Sequence, residues 1–497
     1  MTQAMTLTEK IIARATGLTE VCPGQEVWAN ADRIIMNDSS GRRRIASLVE
    51  ELGGVREHSR VVVISDHTGQ RGRHYTPPRL RRLRGRGARL PIPAIKAHPM
   101  KALSGIRILD LTHMLSGPYG SMLLADLGAE TIKIEPPLRG EGTRKLLAND
   151  PDHSVNGMGA YFLTLNRNKK SVTIDLKSQP GKELFYELVA VSDVIIYNFS
   201  AGVADRLEIS RRFVGAVNPR IITCSITGFG ETGPHKDMVS FDMVAQGMGG
   251  GMSLTGEPAS KPIRAGIPIG DLGGGMMGAL GVLAALQARE RTGRGQHVDI
   301  SMQDAQISLL NYIATMYNLS GRSPGQLGNA HHVHVPYNTF PTRDGWIIVA
   351  VVVDSFWQTL MTIVDCPDLD SEENRTQPGR YKNREVIDRR LSESFATKPR
   401  DHWITELSKA RIPCAPVYDV GDALDDRNVL ARNMMVEVDQ VEGGPVRMPG
   451  NPVKLSETHE DTFSSPPLLG QHTDEILAQL LGKSAEEIAD LRRNSVI

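Results

Sequence analysis

From about Leu103 onward, short apolar runs alternate with stretches of helical spacing. Ile106–Leu111 (IRILDL) and Glu130–Glu135 (ETIKIE) predict strands, with a helix over Gly117–Leu127 between them. Further strands are predicted at Val172–Leu176, Asp193–Tyr197, Arg220–Ile226 and His297–Met302. Helices are predicted over Gly181–Val191, Val203–Val217, Gly274–Glu290 and Ala305–Asn318. This alternation, with short connections, predicts an α/β fold: a parallel sheet covered on both faces, in a Rossmann-like large domain over residues 103–320.

The texture changes on both sides of that block. After Ser320 comes a polar passage, GRSPGQLGNAHHVHVPYN, and then PTRDGWIIVAVVV, a turn feeding a strong strand. Residues 335–430 read as a smaller α+β domain. Residues 431–497 read as a return segment whose two terminal helices pack back on the large domain, with Thr473 or Ser484 as caps. At the other end, residues 1–67 read as a small piece with helices near Leu7–Ala15 and Ile45–Leu52 and a strand at Arg60–Ser65. Residues 68–102 read as a disordered linker: Gln70–Lys101 holds eight arginines and two lysines and no acid, among Pro and Gly.

Over the whole chain the charge is balanced, with 57 basic and 57 acidic residues in 497. Such a chain does not read as a nucleic-acid binder or a membrane-surface protein as a whole. The four cysteines, Cys22, Cys224, Cys366 and Cys414, lie far apart, without metal-ligand or redox spacing. No secretory leader is legible, and the longest apolar run, Met276–Ala288, is broken by glycines. The expectation is a cytoplasmic enzyme without a metal.

Three features carry candidate chemistry. The first is Ala265-Gly-Ile-Pro-Ile-Gly-Asp271-Leu-Gly273-Gly274-Gly275, an acid on a glycine-rich turn at the start of a long apolar helix. Glycines let a ligand approach the carboxylate, and a carboxylate can attack an activated acyl group. A bland alternative stands beside this: Asp271 caps its helix and the glycines allow close packing. The second is Leu109-Asp-Leu-Thr-His113-Met114-Leu115-Ser116-Gly-Pro, after the first strand, where doubly wound folds bind ligands. It lacks GxGxxG, so it does not support a nicotinamide or flavin site. The third is a set of cations near strand ends: Lys133, Arg139, Arg144, Arg167, Lys169, Lys170 and Arg206. They suit phosphate binding or a solvated surface.

Taken in order, LSGIRILDLTHMLSGPYG, FLTLNRNKKSVTIDLK, SDVIIYNFSAGVADRL, ITGFGETGP, IPIGDLGGGMMGALG, TGRGQHVDISMQDA and PLLGQHTDEIL resemble the class III CoA-transferases. That family includes formyl-CoA:oxalate and carnitine CoA-transferases and the related 2-methylacyl-CoA racemases. The resemblance implies an acyl-CoA donor, a free carboxylic acid acceptor, coenzyme A as co-substrate, and an interlocked-ring homodimer. It places Asp271 on the family's nucleophile and His113, Met114, Leu115 and Ser116 on the loop beside CoA. Ile174, Leu176 and Lys177 fall around the adenine. Asn198, Phe199 and Arg206 fall on pantetheine and nucleotide contacts, and Met302 near the active site. Arg139 is assigned to phosphate by proximity alone. Gly273, Gly274 and Gly275 are the expected oxyanion donors. Phe241 stands where the racemase branch has a histidine, and a racemase needs a second acid/base group, so transfer is expected over racemisation.

TLTEKIIARATGLTEVCPGQEVWAN with RVVVISDH resembles the opening of an aconitase/isopropylmalate dehydratase large subunit. The cluster cysteines of that family are missing, so dehydratase activity is not expected. If the fusion reflects related metabolism, succinyl-CoA and short dicarboxylates are the expected substrates, with His331, His332, His334 or Arg264 to meet a second carboxylate. A rival of another class is an RNA- or anionic-surface adaptor built on the Arg-rich stretch.

Overall fold

The computed structural model describes residues 34–37, 61–64, 101–441, 443–458 and 462–497. The N-terminal helices and the Arg-rich linker expected from the sequence lie outside them. Of the N-terminal piece, two parallel strands are described, Ile34–Asn37 and Val61–Ile64. They belong to a unit separate from the one beginning at Ile95.

The larger unit is built on six strands: β1 (Arg107–Asp110), β2 (Glu130–Glu135), β3 (Lys169–Thr173), β4 (Val194–Tyr197), β5 (Ile222–Thr227) and β6 (His297–Ser301). All pair in parallel, in the order β3-β2-β1-β4-β5-β6. That is the doubly wound order, and its reversal between β1 and β4 opens a crevice at the strand C-termini. The helices are α1 (Ser116–Asp126), α2 (Ala160–Leu165), α3 (Gln179–Ala190), α4 (Val203–Arg206), α5 (Arg211–Val217), α6 (Asp242–Met248), α7 (Ile269–Thr292), α8 (Met302–Leu310) and α9 (Tyr312–Ser320).

Alternation along each strand supplies both faces of the core. Ile108, Val194, Ile196, Ile222 and Ile226 join Val282, Ala285 and Leu286 of α7 on one face. Leu109, Ile132, Val172 and Ile195 join Leu184, Phe185 and Leu188 of α3 on the other. The C-terminal Ile476, Leu477, Ile488 and Val496 complete that second face. The PLLGQHTDEIL segment is pinned along β3: Gly470 N–H donates to Ser171 Oγ and Thr173 N–H donates to Thr473 Oγ1. Ser484 caps the last helix with a capping box through Glu487. Thr473 does not cap its helix; its hydroxyl serves β3 instead.

The smaller core, Val335 to Ile412, is separate. It wraps an antiparallel sheet of Tyr337–Thr342, Gly345–Ala350 and Cys414–Pro416, with the helices Ser355–Ile363, Arg384–Phe395 and Arg400–Lys409. Arg380, fully buried, donates to the Val335 carbonyl where the chain enters.

Some elements depart from the sequence reading. The strand expected at Val172–Leu176 runs over Lys169–Thr173. Two lysines masked it, yet Lys169 is 2 % exposed and lies 2.9 Å from Asp110. The helix expected over Val203–Val217 is two pieces, broken where Glu208 adopts φ 62°. The helix expected over Ala305–Asn318 is likewise two, split at Asn311 with φ 48°. α7 is 24 residues, starts five residues earlier than expected, and is long and apolar enough to cross a membrane; half of its apolar window is buried inside the protein.

Asp110 is fully buried. Burial alone would raise its pKa, but Lys169 and Lys133 outweigh it and hold the carboxyl well below the usual range. Burial in turn pulls Lys169 down to about 8 against the attraction of Asp110. Removing one partner strands the other, at a cost of about 3–5 kcal/mol. Lys169→Met should lose that much in urea unfolding, and adding Asp110→Asn should recover a large part of it.

Candidate active site

The crevice between β1 and β4 is built by the loops that leave them. After β1 the chain turns through Thr112, His113 and Met114, the last at φ 61°, and enters α1. Asp110 organises this turn: Thr112 N–H and Ser121 Oγ both donate to its carboxylate. Lys133 Nζ donates to the Thr112 carbonyl at 2.9 Å. After β4, Asn198 bridges the gap: its Oδ1 accepts from His113 N–H at 2.7 Å and its Nδ2 donates to His113 O at 2.7 Å. Phe199 lies with its ring 5.2 Å from that of His113.

A cavity of about 200 Å³ opens here, lined by Leu111, His113, Ile134, Glu135, Pro136, Arg139, Ile174, Asp175, Leu176, Lys177, Phe199 and Leu207. It therefore gathers six residues that the sequence assigned to CoA: His113, Arg139, Ile174, Leu176, Lys177 and Phe199. Asn198 fixes the loop. Arg206 is exposed, next to the lining residue Leu207. Lys177 and Arg139 are exposed at the cavity and free to meet phosphates, while Ile174, Leu176 and Phe199 offer apolar walls. Burial, with help from Lys133, pushes the His113 pKa down, so it presents a neutral imidazole.

The other expected cations do not face this cavity. Arg144 pairs with Glu135 at 2.7 Å, and Arg167 with Asp126 at 2.7 Å. Lys133 and Lys169 are committed as described. These side chains brace the walls from within, so neither a phosphate grip nor a solvated face describes them.

Asp271 stands in the first turn of α7, half-buried, beside this region rather than in the cavity. Two glycine contacts bring it there. A Cβ on Gly275, one turn further along, would fall 2.4 Å from the Ser116 carbonyl. A Cβ on Gly120 would fall 2.7 Å from the Gly275 carbonyl. α7 and α1 thus touch backbone to backbone, and Ser116, at the end of the His113–Ser116 loop, lies one helical turn from Asp271. Leu115 and Ser116 form the start of α1 at this contact.

Gly273, Gly274 and Gly275 do not supply oxyanion donors as expected. The helix begins at Ile269, so they lie inside it, where each N–H points to the carbonyl four residues back. Their function is approach: Gly275 meets α1, and Gly274 packs on Met302 Cγ and Ile226. Met302 itself is 5 % exposed and supports the helix from below rather than lining the cavity. Phe241, 62 % exposed, is the N-cap residue of α6.

Sequence reasoning missed Asp242 and Tyr161. Asp242 Oδ1 accepts from Gly270 N–H at 2.8 Å and from Asp271 N–H at 3.2 Å. The free N–H groups at the helix start therefore serve Asp242, not Asp271. Burial, and then the Asp242 charge, push the Asp271 pKa up to about 7. This environment disfavours the ionised form of Asp271. The Tyr161 phenol, on α2, is raised by burial and by the charges of Asp271 and Asp242. Nothing in local spacing links these two to Asp271.

Comparison with known proteins fits this geometry. Residues 103–473 match the family model described as CoA-transferase family III. The chain belongs to that family. It is a CoA-transferase, with an acyl-CoA and a carboxylic acid as substrates. It is 36 % identical over 386 residues to a succinyl-CoA:mesaconate CoA-transferase of Haloarcula hispanica, spanning 76 % of this chain and 96 % of that one. It is 34 % identical over 414 residues to a succinyl-CoA:glutarate CoA-transferase of Mus musculus, spanning 83 % and 94 %. A crystal structure of a CAIB/BAIF family protein from Brucella suis superposes with TM-score 0.69 at 36 % identity, over 77 % of this chain and 100 % of that one.

The raised Asp271 pKa has a consequence for stability. An acid whose folded pKa lies above its ordinary 3.8 stabilises the fold below that value and loses the contribution as pH rises through about 7. Asp271→Asn removes the loss. It should unfold at higher denaturant concentration than the parent at pH 8, by about 1–3 kcal/mol, and nearly with it at pH 4.

Proposed function

We propose that this enzyme moves CoA from succinyl-CoA to a second short dicarboxylate through acylation of Asp271. The observation that carries the catalytic part is the junction of α7 with α1. It sets a half-buried carboxylate one helical turn from Ser116, at the end of the loop whose His113 walls the cleft at the switch point of the sheet. The dicarboxylate reading rests on the relatives named for succinyl-CoA with mesaconate or glutarate.

The chemistry follows from the groups present. The Asp271 carboxylate attacks the thioester carbonyl, forming a mixed anhydride and releasing CoA thiolate. The thiolate, retained through its nucleotide in the cavity, attacks the aspartyl carbonyl and expels the donor acid. The acceptor carboxylate then attacks the aspartyl thioester, forming a second anhydride, and the thiolate takes the acceptor acyl group. Thioester energy is conserved throughout, so the cycle needs no nucleotide hydrolysis. Neutral His113, the Asn198 bridge and the Phe199 ring shape the path for the pantetheine arm. Racemisation finds no support at position 241, because Phe241 cannot transfer a proton.

The working unit is proposed to be a homodimer. α9 has no fully buried residue, and Leu280, Ile307, Leu309, Tyr317 and Leu319 of α7, α8 and α9 are 46 % to 84 % exposed. So much apolar side chain on three successive helices calls for a covering surface, and a second copy of the chain is the proposed one. Location in the cytoplasm remains part of the proposal.

Asp271→Ala should reduce CoA transfer from succinyl-CoA to glutarate or mesaconate by at least about 10³-fold, measured by chromatography of the CoA esters. Transfer at the parent rate would remove Asp271 from the mechanism. Separately, Leu319→Arg with Ile307→Glu should shift the mass seen by light scattering from dimer toward monomer.

A further inference from the structure

One residue at the mouth of the cavity is neither packed nor relaxed. Leu138 is 99 % exposed, more than any other large apolar side chain among the described residues. Its backbone has φ 63°, and Arg139 N–H donates across it to the Pro137 carbonyl at 2.8 Å. A bond between residues two apart around a positive φ is the strained hand of the γ-turn, which a residue with a side chain rarely occupies. Gly140 N–H donates to the Pro136 carbonyl at 3.1 Å and closes the wider turn. An apolar side chain held in strain, with nothing to pack on, points to an occupant that arrives later.

We propose that Leu138 is a CoA-binding residue: at the tip of the turn of residues 136–140, it covers the nucleotide end of the coenzyme at the cavity mouth. This inference rests on the reading that the nucleotide occupies that cavity.

Size and exposure place the nucleotide against this turn. The cavity holds about 200 Å³. Sites that bury a drug-sized ligand run from about 300 to 1,000 Å³. A nucleoside phosphate therefore stands partly outside the cavity. Of the lining residues, Arg139 and Lys177 are the exposed ones, so they mark the open side. Leu138 directly precedes Arg139, and Pro136 lines the cavity as well, so the turn frames that opening. Adenine has two apolar faces and polar edges. One face lies on the walls made by Ile174, Leu176 and Phe199. The other looks out through the mouth, where a leucine side chain removes it from water. The phosphates go to Arg139 and Lys177.

The base of the turn is fixed, which keeps the leucine at the mouth. Glu135, just before it, accepts from Arg144 Nε at 2.7 Å, from Ser171 Oγ at 2.7 Å and from Glu141 N–H at 3.1 Å. The Arg144 guanidinium also stands 3.9 Å from the centre of the Phe162 ring. A Cβ on Gly140 would fall 2.6 Å from Arg144 Cδ, so the turn rests directly on that arginine. Two residues on, a Cβ on Gly142 would meet Met114 Sδ at 3.6 Å, which brings the same segment against the loop that carries His113. Glycine would satisfy the backbone at position 138 without strain. What leucine adds there is its side chain alone.

The test measures, by calorimetry, the Kd of CoA and of adenosine 3′,5′-bisphosphate, which carries the nucleotide end alone. Leu138→Gly fits the backbone and removes the side chain. It should raise both Kd values about tenfold, which is what half-burying a leucine is worth. It should leave kcat at saturating succinyl-CoA within about twofold of the parent, and unfold at the same or a higher urea concentration. Leu138→Asn, whose residue type tolerates positive φ, should weaken both ligands likewise. Leu138→Met keeps an apolar side chain of similar volume and should hold both Kd values within about threefold. Unmoved Kd values in the glycine and asparagine variants overturn the proposal. So does a loss for CoA with none for the bisphosphate, or a lower mass by light scattering in Leu138→Asn, which makes a second copy of the chain the occupant. Lys177→Ala run in parallel separates the two readings. If it weakens the bisphosphate and Leu138→Gly does not, the cavity holds the nucleotide without Leu138. If neither weakens it, the cavity reading falls and the role of Leu138 falls with it.

Discussion

A fully buried carboxylate and a fully buried ammonium, Asp110 and Lys169, meet beneath the C-terminal edge of the sheet. Neither is tolerable there alone, because an unpaired charge out of water costs several kcal/mol. Together they tie three parts of the chain. Asp110 ends β1, Lys169 starts β3, and Ser121 of α1 hydrogen-bonds both. The turn between β1 and α1, which carries His113, has little freedom left. It is closed on its other side by Asn198 from β4. The crevice that every doubly wound sheet opens at its switch point thereby acquires one fixed wall.

The second constraint is backbone contact between α1 and α7. Glycine in a helix interior costs about 0.5–1 kcal/mol relative to alanine. α7 accepts that cost several times over because any side chain at position 275 would strike the Ser116 carbonyl. The result is that the reactive carboxylate rides on a rigid helix rather than on a mobile loop. A nucleophile that forms an anhydride must sit where water is excluded and where its acyl group can be reached again by the thiolate. A helix anchored by its neighbours meets both needs.

The sheet was legible in the sequence because its strands are continuous apolar runs, which is what burial on both faces demands. β3 was misplaced because its first residue is a lysine, and one-dimensional reading treats lysine as exposed. Only the third dimension reveals that Asp110 awaits it. The same blindness made Lys133, Arg144 and Arg167 look like ligand-binding cations, when each is bound to an internal acceptor. Of the cavity's lining, His113, Ile174, Leu176, Lys177 and Phe199 were named by resemblance along an ordered series of motifs, not by local chemistry. The glycines after Asp271 were read as donors because the helix was expected to begin at Gly274, one turn too late. Once it begins at Ile269, their N–H groups are engaged. Asp242 lies 29 residues from Asp271, a distance at which no periodicity connects two side chains.

The account therefore stands on covalent acylation of one carboxylate at a packed helix start. The most direct measurement is peptide mapping by mass spectrometry after brief incubation with succinyl-CoA and trapping by hydroxylamine. The account predicts a hydroxamate at Asp271, formed only when the thioester is present. Trapping at any other residue, or an unmodified Asp271 peptide while transfer proceeds, would contradict it.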